Sequence, residues 1–334
     1  MGTLRTRVKA LYEKISPAYR TARRVEVRVE ELHRQTQDKL NQLFWYTRVE
    51  EGKPLSQTKR EFFAALPPAE GLLRTIQLGS NELLRRFKAL CQEHDIQWWI
   101  SFGTLLGAAR HKGFIPWDDD VDVSLLRAEF EKLRTALEEH ETLELRRYYD
   151  ERGNYYLYKL VLRGDEEPLL WLDITIWDYA DTKPLGVEET WSRIVRIREK
   201  NDSDFRRLAA GFGRSYHSQS LASADADALQ QAADANRALL PPVEQPDSIF
   251  RSMDSVYLGG ETLMKLEEIF PLCALPFEGE EYPAPCGYEE YLTRVYHYLD
   301  LPPSFLPGHV DLSEEAEKRL AEYLARHGLE YIKP

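Results

Sequence analysis

Apolar positions recur at helical spacing over residues 69–93, where Leu72, Leu73, Ile76, Leu83, Leu84, Phe87, Leu90 and Cys91 share one face. A short apolar run at 96–102 follows and reads as a buried strand. After the turn Gly103-Thr104, the small apolar segment 105–109 suits the first turns of a helix. Residues 127–140 repeat the helical pattern, with Phe130, Leu133 and Leu137 on one face and charges opposite. Strands are predicted over 143–149, 155–162 and 169–179, a helix over 188–200, and a last charged helix over 314–327. Upstream, residues 3–16 read as an amphipathic helix ended by Pro17. A second stretch, 21–46, keeps a partial heptad that Thr36 and Lys39 interrupt. Residues 215–248 are polar and rich in Ala. They predict a low-complexity excursion, an exposed helix then a mobile loop, without catalytic residues. The prolines at 271, 283 and 285 predict an extended loop packing on the rest, not a regular element. The chain thus divides into a helical arm (1–65), a core (66–214), the excursion (215–248) and a C-terminal part packing on the core (249–334).

Composition narrows the partners. The 334 residues are 43% hydrophobic, enough for a substantial core, and the net charge of −12 argues against nucleic acid. The charge is uneven: seven basic residues and one acidic residue give 1–24 a charge of +6, leaving −18 for the remainder. Self-association or packing through residues 1–46 is the expected use of the arm, with peripheral contact to an anionic membrane as the alternative. Three cysteines without paired or metal-ligand spacing, and no apolar run of transmembrane length, predict a cytoplasmic protein.

The chemistry concentrates in residues 98–123. Arg110, His111 and Lys112 are followed by a Gly113 and Pro116 loop, and then by Asp118, Asp119, Asp120 and Asp122. Like charges this close repel and raise one another's pKa unless a cation holds them. Asp120 and Asp122, two apart in a strand buried through Val121 and Val123, would project from one face as a hard-oxygen site for Mg²⁺ or Mn²⁺. Asp173 lies within an apolar strand, where a lone carboxylate is costly and needs a partner, either a metal shared with Asp120 and Asp122 or a hydrogen bond to neighbouring backbone or a Tyr. A helix start at Gly103 and Thr104 offers N–H groups to a phosphate. Arg110 suits a bidentate phosphate clamp, and His111 is a weaker candidate beside it. Lys159 reads either as an edge residue reaching solvent or as a point charge for a phosphate. Asp178, at a strand end, reads as a turn residue.

The block 103–122, Gly-Thr-Leu-Leu-Gly-Ala-Ala-Arg-His-Lys-Gly-Phe-Ile-Pro-Trp-Asp-Asp-Asp-Val-Asp, closely resembles the signature of the LicD family of phosphocholine transferases, related to fukutin-type phosphoribitol transferases. Asp173-Ile174, and more loosely Phe270-Pro271, Phe277-Glu278-Gly279 and 288–292, resemble later parts of the same pattern, although Thr175-Ile176 stands where the family carries Phe-Pro. The resemblance implies an α/β (α+β) nucleotidyltransferase-like fold, a mixed sheet flanked by helices. It further implies transfer of a phospho-alcohol from a CDP-linked donor to a sugar hydroxyl of a surface glycan or its lipid-linked precursor, with release of CMP. Asp120, Asp122 and Asp173 would then be catalytic and metal-binding, and Gly103, Thr104, Arg110, His111 and Lys159 substrate-binding. Two rivals are an Asp-x-Asp glycosyltransferase using a nucleotide-sugar and a non-catalytic scaffold that keeps the fold.

Overall fold

In the computed structural model, residues 42–151, 155–164, 167–216, 219–254, 263–296 and 313–329 are described, with scattered positions between 25 and 40. The helix expected at 3–16 and most of that at 21–46 lie outside them. Contacts divide the chain into Met1–Phe62 and Phe63–Pro334. Within the first unit the rings of Phe44, Trp45 and Phe62 meet edge to face, with centroids 4.9–5.5 Å apart.

The second unit is a mixed sheet with helices, the α/β class anticipated. Helix α1, Leu55–Ala64, falls mostly within the first unit; α2 spans Gly71–Glu93, whose apolar stripe is buried at Leu83, Leu84, Phe87 and Leu90. Each such side chain removed from water stabilises the fold by about 1.5–3 kcal/mol. Strand β1 is only Trp99–Ile100, because Phe102 already opens helix α3, Phe102–His111. Strand β2 is Asp122–Leu126, then α4 is Arg127–Leu137, and β3 (Leu143–Asp150), β4 (Tyr155–Leu162) and β5 (Trp171–Ala180) follow. Helix α5 runs over Val187–Ala209, longer than its sequence pattern.

The excursion at 215–248 carries β6 (Gln219–Ser220) and helix α6 (Ser223–Arg237), with Ala226, Leu229 and Ala233 buried. Small side chains let α6 lie close against its neighbours, so the alanine bias that reads as low complexity serves packing. Strands β7 (Ser248–Arg251) and β8 (Met264–Lys265) and the single turn α7 (Leu266–Ile269) follow. The proline-rich stretch is a regular hairpin, β9 (Leu272–Phe277) and β10 (Glu280–Pro285), in place of the expected loop. Its register places Pro276, Pro283 and Pro285 opposite Glu281, Ala274 and Leu272. These are alternate pairs, so all three prolines take positions that need no inter-strand N–H. Helices α8 (Tyr288–Tyr296) and α9 (Glu314–Arg326) close the described chain.

The strand order is β1-β2-β5-β4-β3-β6, with β7 on β5 beyond β4. Strands β2 and β5 are parallel, and the remaining pairs are antiparallel. One apolar cluster joins α2, α3, α4 and the hairpin to β1, β2, β4 and β5, and a smaller one joins α5 and α6 to β3, β4 and β7. No helix among the described residues is long and apolar enough to cross a membrane.

Candidate active site

The parallel register of β2 and β5 sets Asp122 directly beside Asp173. Adjacent strands run about 4.8 Å apart, so the two carboxylates leave neighbouring backbone positions. The backbone reinforces the pairing: Asp173 N donates to Val121 O at 2.8 Å, and Ser101 N to Asp122 O at 3.1 Å. Asp122 opens β2, whereas Asp120 precedes the strand and lies in the loop after α3. The alternation expected across them still holds, since Val121 and Val123 are fully buried while Asp120 and Asp122 are half-buried; only the strand assignment starts later than expected.

Asp122 also caps α3. Its Oδ2 accepts from Gly103 N at 3.1 Å, and its own N–H donates to Thr104 Oγ1 at 2.8 Å. A carboxylate at a helix N-terminus is favoured by the exposed amides and the helix dipole. The Gly103 amide expected to meet a phosphate is thus engaged by Asp122, and Gly103 and Thr104 orient that side chain. A Cβ on Gly103 would stand 2.7 Å from Asp118 Oδ2 and 3.4 Å from Asp122 Oδ2, so two carboxylates close over a position only glycine leaves open. Phe102, first in the helix, has φ +43°, a costly conformation for a non-glycine residue.

Burial, then the charges of Asp120, Asp173 and Asp118, push the Asp122 carboxyl well above the usual range, against the Gly103 hydrogen bond. Among the described residues one triple of carboxylates brings ligand oxygens within 4.8 Å of one another: Asp118, Asp119 and Asp120. Asp120 therefore belongs both to this triple and to the charges bearing on Asp122. Asp173 Oδ1 is buried without a hydrogen-bond partner, and Lys159 Nζ stands 3.3 Å from it as an ion pair. A buried carboxylate oxygen lacking a hydrogen bond, crowded acids, and an all-oxygen donor set fit a hard divalent cation.

Lys159 belongs to a central strand, between β3 and β5, and is not an edge residue. It pairs in register with Asp173, and its ammonium lies 3.9 Å from the Trp171 ring centroid. Arg110 and His111 sit at the far end of α3 from Gly103, about 10 Å along the axis. The Arg110 guanidinium lies 4.4 Å from the Phe63 ring centroid and 5.9 Å from that of Trp117, and its Nε donates to His111 Nε2 at 2.9 Å. Burial and the neighbouring Arg110 push the His111 imidazole down to about 4, so at neutral pH it is uncharged and accepts that bond.

Sequence reasoning missed three contributions. Burial, then Asp122, raises the pKa of the Tyr296 hydroxyl, which places α8 within electrostatic reach of the acids. Gln77, fully buried on α2, donates to Asp118 O at 2.9 Å, and Glu278 accepts from Phe114 N at 3.1 Å. No local pattern announces these, since each partner is distant in sequence. Two cues were present: a polar Gln77 shares the buried stretch of α2, and Glu278 falls in the Phe277-Glu278-Gly279 segment of the family resemblance.

The profile of the LicD/FKTN/FKRP nucleotidyltransferase domain matches residues 95–209, which hold Asp118 to Asp122, Lys159 and Asp173. The chain is 28% identical over 246 residues to the lipopolysaccharide cholinephosphotransferase LicD of Haemophilus influenzae, covering 69% of this chain and 92% of that protein. It is also 28% identical over 119 residues to the ribitol 5-phosphate transferase FKRP of human and of mouse, covering 33% of this chain and 22% of theirs.

Proposed function

The chain belongs to the LicD/FKTN/FKRP family, and from that premise we propose that this phosphotransferase moves a phospho-alcohol from a CDP-linked donor to a sugar hydroxyl of a surface glycan or its lipid-linked precursor, releasing CMP. The observation that carries the reading is the register pair Asp122 and Asp173, with Asp118 and Asp120 bearing on Asp122 at the start of α3.

Asp120, Asp122 and Asp173 would hold a Mg²⁺ or Mn²⁺ ion, which when bound supplies charge neutralisation at a diphosphate. The acceptor oxygen bonds to the phosphorus that carries the alcohol, the bond from that phosphorus to the CMP oxygen breaks, and the acceptor proton leaves to a base. Asp173 is either the base or a ligand, and its buried Oδ1, without a hydrogen bond but ion-paired with Lys159, takes one of these parts at a time. Lys159, 3.3 Å from Asp173, provides a positive charge for the transferred group. Gly103 and Thr104 hold Asp122 in place rather than binding substrate through the Gly103 amide. Arg110, oriented by neutral His111, provides a guanidinium at the distal end of α3 for a substrate phosphate.

The test is nucleotide release by the purified chain with Mg²⁺ or Mn²⁺, a CDP-linked alcohol and a glycan acceptor. CMP is expected. Release of UDP or GDP from a nucleotide-sugar would assign the site to glycosyl transfer. Absence of any divalent-ion binding by calorimetry would leave a scaffold that keeps the fold.

A further inference from the structure

The loop 113–121 carries the acids yet has no regular structure of its own, and its carboxylates repel one another. Two polar contacts grip it from elements far away in sequence. The first comes from the tip of the β9–β10 hairpin, where Glu278 and Gly279 form a two-residue turn, both with positive φ. Glu278 N donates to Lys112 O at 3.0 Å. Its Oε1 accepts from Phe114 N at 3.1 Å and from Arg74 Nη1 at 3.0 Å, and its Oε2 from Arg74 Nη2 at 2.7 Å. The approach is close: a Cβ on Gly113 would come within 2.5 Å of Glu278 Oε1. The second contact is Gln77, one helical turn after Arg74, whose Nε2 donates to Ile115 O at 3.2 Å and to Asp118 O at 2.9 Å. Arg74 Nη1 also donates to Gln77 Oε1 at 3.2 Å, so the two grips form one network, Glu278–Arg74–Gln77, ending on the backbone of Asp118.

We infer that Arg74, Gln77 and Glu278 are positioning residues that hold the acidic loop in the geometry its divalent cation requires. The inference rests on the proposed function. Apolar anchoring of the same loop is already supplied by Phe114 against Phe277, with ring centroids 4.8 Å apart. The polar network adds something that packing does not: fixed directions for the main chain on both sides of Trp117. Gln77 is fully buried and Glu278 adopts a strained φ of +49°, costs that a surface brace would avoid. Groups that hold a ligand in place typically control metal affinity or activity by about 10–100-fold.

The experiment uses the full chain and Glu278→Gln, Arg74→Met and Gln77→Met, each checked for folding by circular dichroism. Glu278→Gln keeps volume and an acceptor for Phe114 N–H while weakening the grip on Arg74. Amide hydrogen exchange over 113–121 and calorimetric Mn²⁺ affinity are measured together. The expected result is faster exchange confined to the loop, with β2, β4 and β5 unchanged, and Mn²⁺ binding weaker by about tenfold. Unchanged loop exchange in the folded variants overturns the inference. So does faster exchange with full Mn²⁺ affinity, which would make the network a brace for the fold alone. If the parent chain takes up no Mn²⁺, the metal reading itself fails, whatever the exchange shows.

Discussion

At the carboxyl ends of β2 and β5, Arg127 donates through Nε to Asp178 Oδ1 at 2.6 Å and through Nη2 to Asp178 Oδ2 at 3.1 Å, and it also bonds Ser252 and Asp254. Asp254, fully buried, receives Arg237 as well, at 2.9 Å. At the amino ends of the same strands, Asp122 lies beside Asp173 and within the field of Asp118 and Asp120. Both ends bury acids, but with opposite effects. Two guanidiniums hold Asp254 below the usual carboxylate range although burial opposes them, whereas at Asp122 burial and like charges act together upward. The two ends differ by the neighbours of their carboxylates and not by their depth: guanidiniums of the fold neutralise the first group, and the function proposed above assigns the second to a divalent cation.

The largest effect that would sharpen this contrast is at Asp122. Asp122→Asn should cut CMP release by about 10³-fold, in line with loss of one charge-stabilising group, while thermal unfolding shows no loss of stability. Full turnover in that variant would break the comparison. At the other end, Asp254→Asn leaves the half-buried Arg127 and Arg237 without their shared carboxylate, although Arg127 keeps Asp178. It should cost about 3–5 kcal/mol in urea denaturation and leave turnover per folded molecule unchanged.

The smallest effect is in pH dependence, where the two ends have opposite signs. Asp254 has a folded pKa below its unfolded value of about 3.9, so its contribution is present above that pH and is lost as pH falls through the folded value. Asp122 has a raised folded pKa, so its contribution is full below about 3.9 and is lost as pH rises through the folded value. In EDTA, the melting temperature of Asp122→Asn relative to the parent should therefore rise with pH above about 4, and Mg²⁺ should narrow the difference by stabilising the parent. The same measurement on Asp254→Asn should show its deficit shrinking in acid.

Much of this was readable along the chain. The stripe on α2, the helix α4 and strands β3, β4 and β5 each announce themselves through apolar periodicity, because a face that must be buried imposes its spacing on consecutive residues. The hairpin was hidden because prolines signal loops, and only the register shows that all three fall on alternate pairs. Asp178 passed for a turn residue, yet it is a buried strand residue whose guanidinium partner begins α4. Lys159 is enclosed because β4 runs between β3 and β5, an order that connection along the chain does not reveal.

Local spacing, then, determined that helices and strands would form here, and that acids would crowd between a glycine turn and a buried strand. It determined this because neighbours in sequence share one backbone path, and their burial and repulsion are felt over a few residues. The tertiary structure alone decided that Asp173 would stand next to Asp122, that Gly103 would give its amide to a carboxylate, and that Glu278 would reach Phe114. Those contacts depend on which strands pair and in what register, and that choice is made by the packing of the whole core.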